Sequence, residues 1–249
     1  MDGPNAQSAD VIWRGEDSPV SARFGDRYFS GDDGLAECAH VFFAGNALPQ
    51  RLRDGFRVAE LGFGTGLNAL ALARLWSATG AAGRILYTGF EAFPIAPEDM
   101  ARALGRWPEL EGWSALLVDA WAAGQRRIAL PGMDLSVRIG DARRELPAWQ
   151  GLADAWFLDG FSPACNPELW EDALLAEVAR HTAAGGTFAT YSAAGRVRRA
   201  LATAGFAVER RAGHGAKRHM SRGVLGADSS RAKSAGGGGA TTVEDAGPK

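Results

Sequence analysis

Cysteine is scarce in this chain, which has only two, Cys38 and Cys165, among 249 residues. Two thiols are too few for a disulfide framework or for a zinc site with four cysteine ligands. The four histidines show no spacing with cysteines or acids that suits a metal ion. A G-x-S-x-G sequence is also missing, so a hydrolase of that kind would lack its nucleophile. We therefore expect no metal site.

Long apolar runs are missing as well. No stretch approaches the ~18 apolar residues of a transmembrane helix. The first ten residues, MDGPNAQSAD, lack the basic and apolar regions of a secretory signal. We expect a soluble cytoplasmic protein without a membrane partner. The composition, 46% hydrophobic and 22% charged, is that of a globular chain long enough to bury a core without disulfides or metals.

The chain has no excess of positive charge, since its formal net charge is -2. This excludes a uniformly basic nucleic-acid binder. Residues 196–222 nevertheless hold eight Lys or Arg and one acid, Glu209. A local basic face can bind phosphates whatever the total charge. The alternative is that this cluster only reflects a high arginine content, because 24 of the 27 basic residues are arginines spread along the chain.

Residues 57–225 alternate short apolar runs with amphipathic stretches. Strands are predicted at RVAEL, RILYTGFE, LSVRI, ADAWFLD, GTFATYS, FAVERRA and 217–225, the last antiparallel to the sixth. Helices are predicted at GLNALALARLWSATG, 97–107, WEDALLAEVARHTAAGG and AGRVRRALATAG. This alternation predicts an α/β doubly wound fold with a seven-stranded, mostly parallel sheet and helices on both faces.

The two flanks of this region differ from it. Residues 1–12 are expected to be a disordered terminus. Residues 13–56 are rich in glycine, acids and aromatics, which indicates a packed lid or a pocket wall. Residues 226–249 are rich in Gly and Ser and include GGGG, which predicts a disordered tail.

The strongest motif is the glycine-rich turn Glu60-Leu61-Gly62-Phe63-Gly64-Thr65-Gly66, which follows a predicted strand and opens a predicted helix. Its glycines let a backbone approach a ligand closely. The dinucleotide form G-x-G-x-x-G fails, because position 67 is leucine. An acid two residues before the first glycine suits a cationic ligand, and S-adenosylmethionine carries an ammonium and a sulfonium. The alternative is a turn with a purely structural role.

Two further acids end predicted strands. Glu91 ends the second strand, where a carboxylate can accept both hydrogens of a ribose diol. Asp141, followed by Ala142, comes after the third strand and is placed to accept an adenine amino group. Either acid alone could be a solvated loop residue. Their recurrence at one sheet edge favours a binding site.

Asp159 ends the fourth strand and opens the loop Asp159-Gly160-Phe161-Ser162-Pro163. Burial among aromatics would desolvate this carboxylate and strengthen its hydrogen bonds. The loop resembles the acid/amide-Pro-Pro-aromatic loop of amino-group methyltransferases. We expect Asp159 to accept a proton or a hydrogen bond from an attacking amine, and a structural cap is the alternative.

Several blocks in one order carry a wider resemblance: RYFS-GDDGLAE, HVFFAGNALPQR, ELGFGTGLN, DAWFLDGFSPA-NPELW, TFATYSAAGRVRRAL-AGF and GAKRHM. Over residues 13–225 the chain resembles the tRNA (5-methylaminomethyl-2-thiouridine) methyltransferase family. The resemblance implies a Rossmann-like class I methyltransferase domain over 57–225, with residues 13–56 covering the active site. It implies methylation of the primary amine of 5-aminomethyl-(2-thio)uridine at the tRNA wobble position, with S-adenosyl-L-methionine as donor.

The resemblance and the motifs assign roles to residues. Asp159 is the catalytic candidate. The expected donor-binding residues lie in the turn, at the strand ends and in the extension: Tyr28, Glu60, Gly62, Phe63, Gly64, Gly66, Glu91, Ala92, Asp141 and Ala142. The expected substrate-binding residues are aromatic, loop and basic ones: Phe161, Pro163, Asn166, Arg196, Arg199, Lys217 and Arg218. Trp170 is a further candidate for base stacking.

Bifunctional members of the family continue into a flavin oxidoreductase half, for which this chain has no sequence. We therefore expect a stand-alone methyltransferase or an excised methyltransferase half, which binds a tRNA anticodon loop, holds no FAD and is a monomer. One alternative is methylation of a small-molecule or protein amine. A catalytically silent binding module and a nucleotide-dependent oxidoreductase are further alternatives, and the failed G-x-G-x-x-G pattern disfavours the latter.

Overall fold

A computed structural model describes residues 8–15, 18–29, 33–215 and 217–226. The first two strands, β1 (Val11–Arg14) and β2 (Ser18–Ser21), pair antiparallel as a separate small sheet. The strand β1 thus includes the last two residues of the terminal segment expected at 1–12. Residues 1–7 and 227–249 of the two expected disordered ends lie outside the described residues.

The main sheet has eight strands in the order β5-β6-β4-β3-β7-β8-β10-β9. Their bounds are β3 (Arg57–Leu61), β4 (Ile85–Glu91), β5 (Arg127–Leu130), β6 (Met133–Ile139), β7 (Ala153–Leu158), β8 (Thr182–Thr190), β9 (Phe206–Ala212) and β10 (His219–Leu225). The central run from β6 to β8 is parallel throughout. The strand β10 lies antiparallel between β8 and β9. The predicted α/β class with a mostly parallel sheet is confirmed.

Helices connect these strands. Their bounds are α1 (Gly34–Glu37), α2 (Leu67–Ala78), α3 (Pro97–Leu104), α4 (Glu111–Ala122), α5 (Ala142–Glu145), α6 (Asp172–Arg180) and α7 (Gly195–Thr203). A π-helical turn, Cys38–Phe43, continues α1, and 3-10 turns lie at Pro108–Leu110 and Pro167–Trp170. Within the described part of the chain, no helix is long and apolar enough to cross a membrane.

The core has two parts, one on each face of the sheet, and β7 contributes to both. Its side chains alternate: Phe157 packs with residues of α2 and of the extension, whereas Trp156 packs with residues of α6 and α7. This period of two is the reason why a strand that is apolar from Ala155 to Leu158 serves both faces. The extension joins the first part, because the Phe42 ring lies 5.2 Å from the Phe157 ring.

The predicted number of seven strands is wrong, since the main sheet has eight. The additional strand is β5, an antiparallel edge strand joined to β6 by Pro131 and Gly132. Gly132 has φ +75°, as the third residue of a proline-glycine turn requires. Four residues that alternate between exposed and buried give little sequence signal. The helix predicted through Gly186 is also too long: α6 ends at Arg180, and β8 includes the irregular stretch that follows.

Candidate functional site

The carboxyl ends of β3, β4, β6 and β7 meet at one cavity of about 730 Å³. Because these strands are parallel neighbours, their ends lie at the same edge of the sheet. Four segments from this edge, here called the strand-end wall, line the cavity: residues 62–65, 91–93, 141–143 and 159–162. Gly62, Phe63, Gly64, Glu91, Ala92, Asp141, Ala142 and Asp159 were predicted to share a site, and all are in this wall.

Two glycines of the turn occupy backbone conformations that other residues rarely adopt. Gly62 has φ +85°, and a Cβ there would lie 2.5 Å from the carbonyl oxygen of Asp159. Gly64 has φ +54°, and its Cβ would lie 3.3 Å from the ring of Tyr28. The turn therefore passes between the loop after β7 and the extension only because it has no side chains there.

Gly66 has a structural role and not the predicted place in the cavity wall. It is the N-cap of α2, with φ +81°. A Cβ on it would lie 2.8 Å from a methyl group of Leu117 in α4. A side chain at this position would face the core, so glycine is needed here for packing, and a contact of Gly66 with the donor stays a prediction.

Glu91 fixes the turn from the neighbouring strand. One carboxylate oxygen, Oε2, accepts the N–H of Gly64 at 2.8 Å, and the other, Oε1, accepts the N–H of Phe93 at 2.8 Å. Burial raises the pKa of Glu91, and these backbone hydrogen bonds oppose the shift. Each oxygen keeps a lone pair with which to accept a ligand hydroxyl.

Asp141 is already paired within the chain. It caps α5 by accepting the N–H of Arg143 at 2.9 Å, and the Arg143 guanidinium contacts its Oδ2 at 2.6 Å. These hydrogen bonds lower the pKa of Asp141, so the carboxylate stays charged. A ligand amino group at Asp141 would have to share the carboxylate with Arg143.

Glu60 does not line the cavity, which corrects its predicted role as a direct donor contact. Its side chain is fully buried under α2, where Oε1 accepts a hydrogen bond from Asn68 at 2.7 Å and Oε2 one from the Tyr87 hydroxyl at 2.7 Å. Burial raises the pKa of Glu60 well above its usual range. The side chain lies between the sheet and α2, outside the cavity.

Asp159 is the carboxylate at the centre of the strand-end wall. Its Oδ2 accepts a hydrogen bond from Asn68 at 2.6 Å. Burial, and then the negative charge of Glu37, raise the pKa of Asp159 to about 7, against the opposing effect of Lys217. The group is therefore divided between its acid and carboxylate forms at neutral pH, as suits a general base.

The opposite side of the cavity comes from the extension and from the loop between β9 and β10. This set, here called the extension wall, consists of Arg23, Phe24, Asp26, Arg27, Tyr28, Phe29, Asp33, Gly34, Glu37, Cys38, Phe42, His214, Gly215 and Lys217. Asp26 accepts the N–H of Ser162 at 2.8 Å, which ties the extension to the loop of Asp159. Phe24 and Tyr28 lie against the Phe161 ring at 5.0 and 5.2 Å.

Lys217 was predicted to contact phosphates, but the structure places it in the extension wall. Its Nζ lies 2.6 Å from Glu37 Oε1 and 3.8 Å from the centre of the Tyr191 ring. Tyr191 in turn donates a hydrogen bond to the Gly160 carbonyl at 2.5 Å. Lys217 is thus an internal counter-charge close to Asp159.

Other predicted substrate residues are divided between the cavity and the surface. Phe161 and Asn166 line the cavity, whereas Pro163 does not. Arg196, Arg199 and Arg218 are exposed and lie outside the cavity wall. Their contact with phosphates stays a prediction. Trp170 is 1% exposed and donates to the Phe161 carbonyl, so it is a core residue and not a stacking surface.

The sequence reasoning missed Asn68, Glu37 and Tyr191. Asn68 stands directly after the glycine-rich turn, where the first turn of α2 points back to the strand ends. That position was the available signal. For Glu37 and Tyr191 the sequence has no comparable signal, since their neighbours are distant in the chain. Among the described residues, no group of His, Cys, Asp and Glu has the arrangement of a metal site.

Comparisons with known proteins agree with this geometry. A family model described as an S-adenosyl-L-methionine-dependent methyltransferase matches residues 108–226. The chain is 45% identical over 228 residues to the tRNA 5-methylaminomethyl-2-thiouridine biosynthesis bifunctional protein MnmC of Chromobacterium violaceum, covering 87% of this chain and 34% of that protein. A protein of the same name from Caulobacter sp. (strain K31) is 48% identical over 231 residues, covering 88% and 38%.

The chain thus spans 34–38% of the length of these two curated relatives. A solved structure is also similar. The crystal structure of MnmC2 from Aquifex aeolicus matches with a TM-score of 0.69 and 27% sequence identity, covering 89% of this chain and 72% of that one.

Proposed function

We propose, from the similarity of this chain to S-adenosyl-L-methionine-dependent methyltransferases, that it transfers a methyl group to a primary amine on tRNA. The proposed substrate is 5-aminomethyl-(2-thio)uridine at the wobble position, and the product is 5-methylaminomethyl-(2-thio)uridine. The observation that carries the proposal is Asp159, a carboxylate with a pKa of about 7 that shares one cavity with the glycine-rich turn and Glu91.

The residues of the strand-end wall fit the donor. Gly62 and Gly64 leave a bare backbone: a Cβ on Gly62 would collide with the Asp159 carbonyl, and one on Gly64 would crowd the Tyr28 ring. Glu91 offers lone pairs to a ribose diol. Phe63, Ala92 and the Asp141-Ala142 pair complete this side of the cavity, and Tyr28 faces it from the extension. When bound, S-adenosyl-L-methionine supplies a methyl group activated on a positively charged sulfur.

Asp159 acts as the base in this proposal. An ammonium has no lone pair, so the substrate amine must lose a proton before it can attack a methyl group. Asp159 accepts that proton on its carboxylate and then holds the neutral amine by a hydrogen bond. A base whose pKa lies near the ambient pH is partly deprotonated and still accepts a proton well. The cavity adds the benefit of holding both reactants in one orientation.

The extension wall suits a nucleobase. Phe24 and Tyr28 of this wall, together with Phe161 of the strand-end wall, present aromatic rings to the cavity, and such rings stack with unpaired bases. A wobble base lies in the anticodon loop and can enter a pocket without the cost of breaking a base pair. In this proposal residues 13–56 cover the active site, and Arg196, Arg199 and Arg218 contact the phosphates from outside the cavity.

The test is methyl transfer from labelled donor to bulk tRNA from cells that lack the modification. Label in tRNA, found as 5-methylaminomethyl-(2-thio)uridine after digestion, supports the proposal. Label found only in protein or small molecules would show that the amine belongs to another substrate class. The absence of label from every fraction, with donor binding intact, would show a silent binding module.

A further inference from the structure

Asn68 connects the buried carboxylate of Glu60 to Asp159 in the wall of the cavity. It lies in the first turn of α2 and is 5% exposed. Its Nδ2 donates to Glu60 Oε1 at 2.7 Å and to Asp159 Oδ2 at 2.6 Å. Its Oδ1 accepts a hydrogen bond from the Cys38 thiol at 2.7 Å. The amide group therefore uses both of its hydrogens and its oxygen.

These contacts allow one orientation of the amide. A flipped Asn68 would place its oxygen against Asp159, which has no hydrogen to donate when ionised, and would turn its NH2 group toward the Cys38 thiol. Glu60 is itself held from the other side by the Tyr87 hydroxyl at 2.7 Å. The chain from Tyr87 through Glu60 to Asn68 is buried and fully hydrogen-bonded, so it holds Asn68 rigidly.

We propose that Asn68 is a positioning residue that fixes the Asp159 carboxylate, and that Glu60 acts on the site by holding Asn68. With Oδ2 bound to Asn68, the other oxygen of Asp159 is left for the substrate amine. Among the described residues, none donates a hydrogen bond to that oxygen. Glu60, the acid of the glycine-rich motif, thereby supports the position of Asp159 and does not contact the methyl donor. The term substrate amine rests on the proposed function, whereas the positioning of Asp159 does not.

A hydrogen bond to a carboxylate favours its charged form, so Asn68 lowers the pKa of Asp159. Other charged or titratable groups act on Asp159 from every side of the site, and a test must hold them constant: Asp26, Glu37, Cys38, Glu60, Tyr87, Tyr191 and Lys217. Replacement of Asn68 alone leaves all of them in place.

The first experiment uses Asn68→Leu, which is similar in size but has no hydrogen-bonding group. We expect the midpoint of the Asp159 carboxyl titration, followed by carbon-13 NMR and assigned with Asp159→Asn, to rise by about one pH unit. Donor affinity should stay within about threefold of the parent value. Gln125→Leu makes the same chemical change on an exposed residue and should leave the titration unchanged. A lower melting temperature without a change in midpoint would overturn the proposal.

A second variant and a measurement on the parent cover the case in which Asn68→Leu does not fold. Asn68→Ser keeps a polar group but has one hydrogen-bond donor fewer. The midpoint of the Asp159 titration should again rise, but by less than in Asn68→Leu. In the parent protein, the side-chain amide resonance of Asn68 should change with the same midpoint as Asp159, and this change should vanish in Asp159→Asn. An Asn68 resonance that ignores the Asp159 titration would refute the contact. None of these readouts requires tRNA, so they remain decisive if the proposed substrate is wrong.

Discussion

The strand-end wall and the extension wall enclose the same cavity but are held in different ways. The first consists of residues that follow parallel strands, so the hydrogen-bond ladder of the sheet sets their positions. The second is held by separate side-chain contacts, such as Asp26 with Ser162 and Glu37 with Lys217. Changes in the strand-end wall should therefore affect chemistry and donor binding, whereas changes in the extension wall should adjust the charge around Asp159.

The largest effect is expected from Asp159→Asn, which keeps the shape of the strand-end wall but removes the base. Methyl transfer to tRNA should fall by about 10²–10⁴-fold, the usual contribution of a positioned base. Donor affinity, measured by calorimetry, should stay near the parent value, because Glu91 and the glycine turn are unchanged. Parent-like turnover in this variant would remove Asp159 from the mechanism.

Glu91→Ala should show the next largest effect, on donor binding. The variant loses the two backbone contacts that hold Gly64 and Phe93, together with the acceptor proposed for the ribose. Hydrogen bonds to a charged group contribute about 1.5–3 kcal/mol, so the donor Kd should rise by about 10–100-fold. Glu98→Ala, the same change at an exposed acid in α3, is the matched control and should bind donor normally. An unchanged Kd for Glu91→Ala would mean that the donor does not reach this strand end.

The strand-end wall was largely predictable from the sequence because local patterns determine it. A strand, a glycine turn and a helix follow one another in the chain, and the acids Glu91, Asp141 and Asp159 each end an apolar run. Parallel pairing then places them at one edge. Two predicted donor contacts, Glu60 and Gly66, lie outside this wall for a common reason. The direction of the Glu60 side chain depends on its hydrogen bonds with Asn68 and Tyr87, which lie in other elements. The packing of Gly66 likewise depends on Leu117 in α4.

The extension wall was predictable only as a region. Its aromatic and acidic composition indicated a lid or pocket wall, yet its decisive contacts join residues that are far apart in the chain. Lys217 and Glu37 are 180 positions apart, and Asp26 and Ser162 are 136 apart. No periodicity links such pairs. The charge pattern therefore placed Lys217 on a phosphate-binding surface, although the structure pairs its ammonium with Glu37.

The extension wall should control the pH dependence of methyl transfer. In the proposed mechanism Asp159 works as a carboxylate, so activity should fall as the pH drops through about 7. Glu37 raises this pKa and Lys217 lowers it. Glu37→Gln should therefore move the acid limb of kcat/KM to lower pH, and Lys217→Gln should move it to higher pH. Both follow from the sign of the charge removed.

The double variant Glu37→Gln/Lys217→Gln is the control for these two changes. It removes both charges, so its acid limb should lie close to that of the parent. Shifts of the same sign in the two single variants, or no shift in either, would show that this ion pair does not act on Asp159.

The smallest effect is expected on the surface, outside both walls. Arg196, Arg199 and Arg218 are exposed, and Arg196 lies 3.6 Å from Asp172. Reversing the charge of Arg199 and Arg218 together should weaken tRNA binding by several-fold and make its dependence on salt less steep, since each phosphate contact releases about one counterion. Arg74→Glu, an exposed change in α2, serves as the control. Equal salt slopes for the two variants would show that Arg199 and Arg218 do not contact tRNA phosphates. Recognition of tRNA would then depend on the extension wall, because only the cavity would distinguish one RNA from another.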